Sequence, residues 1–379
     1  MGTFSELLDE KARISPERKP GRTWDLSTIT PLFAQFDLRH PAQRVISIVG
    51  SNGKGTCAYL LNHNLLTKGS TVAMITSPHV SSYRERLLVN GHMLSEEVWT
   101  AHFGMIGAEN FAHLSYYESI MLVALHIVKS QNLEVLILEA GLGGRLDAIN
   151  GVDADVLLMT SINLEHTELL GNTLEAILGE KIVVARQSTT VYVDLPELDT
   201  SIQRWAQAIG FRRSKGHVPH SIKIPGINPR LISLVNTLLY EQFAWQMVPV
   251  AVPYRSQMLN TWPLILDTAH NVPAVQVLCQ QIEAAYQIKK WNWYINLQPD
   301  RDIQGFFNAI QGHAKQIVFC PAPGLFQPEE LPPELREVPY LDVAAACERF
   351  RGQPSVVCGS FRVIEVFMQA CTRSQHIIS

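Results

Sequence analysis

The chain has 379 residues, 46% of them hydrophobic and 17% charged, with a net charge of −4 and a pI near 6.4. That is material for two or three packed domains and too little positive charge for a nucleic-acid face, so any anion site has to be built locally. No apolar run approaches the roughly 20 residues that cross a bilayer and the N-terminus lacks a signal peptide's apolar segment, so the expectation is a soluble, cytoplasmic protein without membrane or nucleic-acid partners; a monomer is the expected state, though nothing in the sequence derives it.

The first strong signal is Val45 to Thr56, VISIVGSNGKGT. Val45, Ile46, Ile48 and Val49 form the continuous apolar run of a buried parallel strand. In the turn that follows, Gly50, Gly53 and Gly55 let backbone N–H groups approach a polyanion. A helix predicted over Cys57–Leu66 would point its positive end at the same phosphates, with Lys54 on the β- and γ-phosphates and the Thr56 hydroxyl on Mg²⁺. The strict P-loop pattern is not met, because Ile48 stands where its first glycine belongs.

Further strands are predicted at Val72–Ile75, Val135–Leu138 and Val156–Met159, with shorter elements at Ile182–Val184 and Thr189–Val193. The spacing leaves room for crossover helices, the rhythm of a mainly parallel sheet. Arg212 to Pro229, RRSKGHVPHSIKIPGINP, reads as a linker. A second alternation follows, with strands at Leu264–Leu266, Trp293–Leu297, Ile317–Phe319 and Val356–Val357 and a helix at Val275–Tyr286. The expectation is therefore an α/β protein of two domains. The first, 1–222, is a P-loop-type, mainly parallel sheet with flanking helices, and the second, 226–379, is a smaller Rossmann-like domain. Cys57, Cys279, Cys320, Cys347, Cys358 and Cys371 are scattered without a CxxC pair, which fits reduced, buried thiols and argues against zinc.

Open α/β sheets bind ligands at the carboxyl ends of their strands, and chemistry-bearing residues recur there. Glu139 in ILEAGLGGRLDAIN is either a metal-binding carboxylate or a helix-capping acid in a glycine loop. His166 in SINLEHTELLG is either a surface histidine or a ligand of a second Mg²⁺. Lys181 in LGEKIVVAR is, by its setting alone, either a solvated lysine or a site residue.

The phosphate-loop variant Gly50-Ser51-Asn52-Gly53-Lys54-Gly55-Thr56 has the spacing of the Mur ligase superfamily. Taken in order, five segments resemble its folylpolyglutamate synthase and dihydrofolate synthase family. They are GSNGKGT, TSPHVSSYRERLLVNG (with Ser77, Pro78, His79, Glu85 and Arg86), SYYESI (with Glu118), LEAGLGGRLDAIN and SINLEHTELLGNTLEAILGEK. The resemblance implies an ATP-dependent ligase that joins L-glutamate to 7,8-dihydropteroate, and glutamate to tetrahydrofolate, through an acyl phosphate. It also implies that Thr56, Ser77 and Glu139 hold one Mg²⁺ and Glu139 and His166 a second, and that Lys181 is carbamylated, giving a carboxylate-like ligand at that second ion. Lys54, Lys181 and His166 would be catalytic, Ser77, Pro78, His79 and Arg86 would bind the folate, and Arg255, Asp267 and His270 would close over ATP. The chain departs from the family at Tyr254 and Thr268, which stand where the family has glycine, and at Ile232, which stands for an adenine-side asparagine. The rival readings are a P-loop kinase or NTPase, which leaves Glu139, His166 and Asp267 to His270 without a role, and a non-catalytic nucleotide-binding relative of the ligases.

Overall fold

The computed structural model describes residues 2–14, 25–214, 222, 224, 227–250, 252–254, 257–259 and 264–373. By its internal contacts the chain divides into two units, Met1–Ile222 with Arg230–Val248, and Lys223–Pro229 with Pro249–Ser379.

The first unit is an eight-stranded sheet of β1 (Arg44–Val49), β2 (Val72–Ile75), β3 (Leu87–Val89), β4 (His92–Met93), β5 (Val135–Glu139), β6 (Val156–Met159), β7 (Thr190–Val193) and β8 (Arg212–Arg213). Its order is β4-β3-β2-β5-β1-β6-β7-β8. The strands from β2 to β8 in that order run parallel, and β3 and β4 are antiparallel additions at one edge. Strands β2, β5 and β6 are buried at every residue, which is why they read as unbroken apolar runs rather than alternating ones. The chain passes from β1 to β2, beyond β5, and from β5 to β6, beyond β1, so the winding reverses at β1. A crevice opens at such a point, outside the carboxyl ends of the strands.

The hairpin β3–β4 was not among the expected elements. Its two-residue turn, Asn90 at φ +49° and Gly91 at φ +80°, is the Asn-Gly pair that suits a tight hairpin. The segment expected at Ile182–Val184 is instead the end of helix Leu174–Ile182, and its apolar residues bury that end. Helix Lys54–Lys68 begins three residues before the expected start and ends at Gly69, whose φ of +97° suits a left-handed cap.

Helix Pro229–Phe243 follows the Pro- and Gly-rich stretch, yet its contacts lie with the first unit. The Arg44 guanidinium donates to Gln242 O at 2.9 Å, and the Tyr192 hydroxyl donates to Glu241 and accepts from Gln242, both at 2.8 Å.

The second unit is a five-stranded sheet of β9 (Gln257–Leu259), β10 (Leu264–Leu266), β11 (Trp291–Ile295), β12 (Ala314–Phe319) and β13 (Ser355–Cys358), in the order β12-β11-β13-β10-β9. Only β9 is antiparallel, and Trp293, Ile295, Phe306, Phe319 and Val356 fill the core on one face. Both units are the α/β kind expected. Among the described residues no helix is long and apolar enough to cross a membrane.

Candidate active site

The turn after β1 is pinned from the neighbouring strand end. Ser51 N donates to Ser161 O at 2.7 Å, Asn52 N to Ser161 Oγ at 2.9 Å, and Thr160 Oγ1 to Asn52 O at 2.6 Å. Gly50 has φ +143°, and a Cβ on it would lie 2.0 Å from Thr160 Oγ1, so only glycine fits the approach. Gly53, at φ +86°, is the N-cap of helix Lys54–Lys68, and no side chain caps that helix. Its first-turn N–H groups and the positive end of its dipole thus define an anion-binding position. Lys54 folds back over the loop, its Nζ donating to Gly50 O at 2.9 Å, and Thr56 is buried in the first turn. Leu231, from the helix that follows the linker stretch, packs on Gly53.

Glu139 is the last residue of β5, paired in register with Ile48, and only 5% exposed. One carboxylate oxygen accepts from Ser77 N at 3.1 Å, and a Cβ on Gly55 would lie 3.5 and 3.6 Å from the two oxygens. The carboxylate therefore lies against the first turn of the phosphate-loop helix. The Cys57 thiol registers it too, pushed up by burial and then by the charge on Glu139. The helix-capping role belongs instead to Asp147, the N-cap of the 3₁₀ turn Ala148–Gly151, which is fully buried and accepts from Gly141 N, Leu142 N, Ile149 N and the Tyr117 hydroxyl at 2.9–3.1 Å.

Lys181 is not a solvated lysine. It is 1% exposed, and its Nζ donates to Glu165 Oε1 at 2.9 Å and to Gly50 O at 3.2 Å. Two ammonium groups, from Lys54 and Lys181, thus converge on one loop carbonyl. Burial works to raise the Glu165 carboxyl, but Lys181, Lys54 and hydrogen bonds from Lys181 and Ser51 hold it below the usual carboxylate range. Burial also holds Lys181 down, with Glu165 pulling the other way. His166, next in sequence, is half-buried in a left-handed conformation (φ +44°), and its carbonyl accepts from Leu169 N and Leu170 N at the start of the short helix Thr167–Leu170.

The loop after β2 folds around Glu85, whose carboxylate accepts from Val80 N, Ser81 N and Ser82 N at 2.7–2.8 Å. Within it Ser77–Pro78 is a cis peptide, Pro78 is exposed, and Arg86 Nε donates to His79 Nδ1 at 2.9 Å. The Arg86 guanidinium lies 5.7 Å over the Tyr116 ring, a cation–π contact.

In the second unit Asp267 follows β10, is 6% exposed and accepts from Ala269 N at 2.7 Å. His270 Nδ1 lies 3.0 Å from Thr268 O. Arg255 lies outside the described residues. Thr268 buries its hydroxyl without a hydrogen-bond partner. Tyr254 stands at φ +53°, and its carbonyl accepts from Thr268 N at 3.2 Å.

Lys54, Thr56, Ser77, Glu139 and Lys181 are thus gathered around one crevice of the first unit, whereas Asp267 and His270 belong to the second. Glu165 and Asp147 escaped sequence reasoning. Asp147 could have been found as a capping residue before Ala-Ile-Asn; Glu165 had only its place beside His166. Among the described residues no three His, Cys, Asp or Glu side chains cluster as metal ligands. A cation here would depend on the Thr56 and Ser77 hydroxyls, the Glu139 carboxylate, water and phosphate, the oxygen set that suits Mg²⁺.

No protein-family model matches the chain. A dihydrofolate synthase/folylpolyglutamate synthase of Escherichia coli is 32% identical over 311 residues, covering 74% of this chain and 73% of that protein. Escherichia coli FolC in complex with DHPP and ADP superposes with a TM-score of 0.87 at 27% identity, covering 98% of this chain and 99% of that one. A bifunctional folylpolyglutamate synthase/dihydrofolate synthase with Mn, AMPPNP and L-glutamate bound gives 0.85 at 27% identity, covering 98% of both chains. With this phosphate loop, these strand-end residues and that extent of likeness, the chain belongs to the dihydrofolate synthase/folylpolyglutamate synthase family.

Proposed function

We propose that the protein is an ATP-dependent ligase that joins L-glutamate to 7,8-dihydropteroate and also extends tetrahydrofolate with glutamate, as a cytoplasmic monomer. The observation that carries this reading is the meeting, at one strand-end crevice, of the phosphate loop with Lys54, the buried Glu139 and the loop Ser77–Arg86. The ATP, divalent metal, glutamate and DHPP-type ligands of the relatives are consistent with it. The described cysteines, all free and buried, suit a reducing compartment.

In this reading the acceptor carboxylate attacks the γ-phosphorus, forming an acyl phosphate and ADP. The glutamate amine then attacks the acyl carbon, and phosphate leaves with the bridging oxygen. The protein's part in the first step is positioning and charge neutralisation. The N–H groups at the start of helix Lys54–Lys68 cradle the phosphates, those of Ser51 and Asn52 being held by Ser161, and Lys54 exchanges the Gly50 carbonyl for phosphate oxygen. Thr56, Ser77 and Glu139 would hold one Mg²⁺, and Glu139 and His166 a second. Bound there, the ions supply Lewis-acid neutralisation of the phosphate charge. Pro78, His79 and Arg86 would hold the folate acceptor, and Arg255, Asp267 and His270 the nucleotide.

Lys181 and Glu165 brace the loop carbonyl at Gly50. Carbamylation of Lys181, which the family resemblance implies, would set a second carboxylate beside Glu165, and no step above depends on it. A density map of the metal-bound enzyme with an unmodified Lys181 would set that modification aside.

The test is a coupled assay with Mg-ATP, L-glutamate and dihydropteroate, with products identified by mass. Dihydrofolate and ADP in equal amounts are expected, and Lys54→Ala should lower turnover by orders of magnitude with the fold retained. ADP release that does not depend on glutamate would point to an NTPase instead.

A further inference from the structure

Lys11 is a buried lysine that none of the chemistry above uses. It lies on helix Phe4–Ile14, is 8% exposed, and its Nζ donates to Phe111 O at 2.7 Å and Leu114 O at 2.6 Å. Burying an ammonium is expensive unless acceptors satisfy its N–H groups, and here two backbone carbonyls do so. Phe111 ends the 3₁₀ turn Ala108–Phe111, and Leu114 precedes Ser115, which caps helix Tyr116–Gln131 in a capping box with Glu118. Lys11 thus fixes the segment that sets the entry of the helix carrying Tyr116 and Tyr117.

The opposite end of the same N-terminal helix holds a different segment. Phe4 N donates to Thr100 Oγ1 and Ser5 N to Glu96 Oε1, both at 3.2 Å. The second Glu96 oxygen accepts from the Tyr83 hydroxyl, and the Phe4 ring meets the Tyr83 ring edge-on at 5.5 Å. Tyr83 opens the 3₁₀ turn Tyr83–Arg86. The two segments meet again at Arg86, bonded to His79 at 2.9 Å and lying 5.7 and 6.0 Å over the Tyr116 and Tyr117 rings.

We propose that helix Phe4–Ile14 is a positioning element for the acceptor. It staples the turn Tyr83–Arg86 to the start of helix Tyr116–Gln131 and so holds the His79–Arg86–Tyr116 arrangement in shape before the acceptor arrives. The proposal rests on the reading of Ser77–Arg86 as the acceptor loop. Two variants of the full-length protein test it. Lys11→Met keeps the chain length but has no donors, and Tyr83→Phe removes only the hydroxyl that binds Glu96.

Each variant should raise the KM for dihydropteroate about tenfold, with kcat and the KM for ATP within twofold of the parent. Amide exchange in residues 77–86 should quicken in both. An unchanged acceptor KM, or acceptor, ATP and glutamate KM values that rise together, would overturn the positioning role. Exchange in 77–86 that does not respond to Lys11→Met would overturn the staple itself, whatever the acceptor. If the parent enzyme turns over no pterin acceptor, it is the functional reading that fails, and the exchange measurement still decides the staple.

Discussion

Replacing Glu165 with alanine isolates a buried ion pair that braces the phosphate loop. Both side chains are nearly inaccessible, 2% for Lys181 and 8% for Glu165, and the pair is 2.9 Å apart. Removing one member of a buried pair typically costs about 3–5 kcal/mol, because the other charge is stranded. The penalty has a ceiling. An ordinary lysine can shed its proton at pH 7 for about 5 kcal/mol. Burial already pulls Lys181 in that direction and the Gly50 carbonyl still accepts from it, which puts the expected loss at about 3 kcal/mol. The sign of the pH dependence follows. With its partner gone, Lys181 binds its proton more weakly folded than unfolded, so the variant's stability should rise with pH, by at most about 1.4 kcal/mol per unit. Urea unfolding at pH 7 and pH 9 measures both quantities. The double variant Glu165→Ala/Lys181→Met should recover most of the loss. A single-variant loss below about 1 kcal/mol, or a double variant no better than the single, would refute the reasoning that Glu165 serves to compensate the buried Lys181 charge.

Gly50→Ala should destabilise by about 3 kcal/mol, from the positive φ and the overlap with Thr160 Oγ1 together, and should abolish nucleotide binding measured by calorimetry. His102 and His126 place their Nδ1 atoms 2.8 Å apart between two helices, and burial holds both below the ordinary imidazole value. The unfolded chain therefore binds more protons, so stability should be full above about pH 6.5 and fall as pH drops below it. A thermal-melt series from pH 8 to 5 reads this, and His102→Gln should flatten the acid limb. Tyr254→Gly should stabilise the protein by about 0.5–1 kcal/mol, because relief of φ +53° outweighs the entropy that glycine loses; a destabilised variant would contradict this.

The parts of the fold that were legible in the sequence are those whose cause is local. Strands β1, β2, β5 and β6 are apolar because both their faces are covered, and the glycines of the phosphate loop are where backbone geometry demands them. Lys54, Thr56 and Glu139 could be named because each follows a recognisable strand end. What escaped depends on contacts distant in sequence. Glu165 matters through Lys181, and a lysine near a helix end shows nothing of being 1% exposed. Helix Pro229–Phe243 sits with the first unit because Leu231 reaches Gly53 and Gln242 reaches Arg44, pairings that no composition shift encodes. Lys11 joins segments about 100 residues further along the chain.

The claim that everything else depends on is activation of the acceptor carboxylate at the phosphate loop, and oxygen transfer tests it most directly. Dihydropteroate labelled with ¹⁸O in its carboxylate is incubated with Mg-ATP and L-glutamate, and the released phosphate is analysed by mass. The account predicts one labelled oxygen in phosphate for each amide formed. Unlabelled phosphate alongside amide product would contradict the acyl phosphate, and phosphate released with neither label nor amide would contradict the ligase.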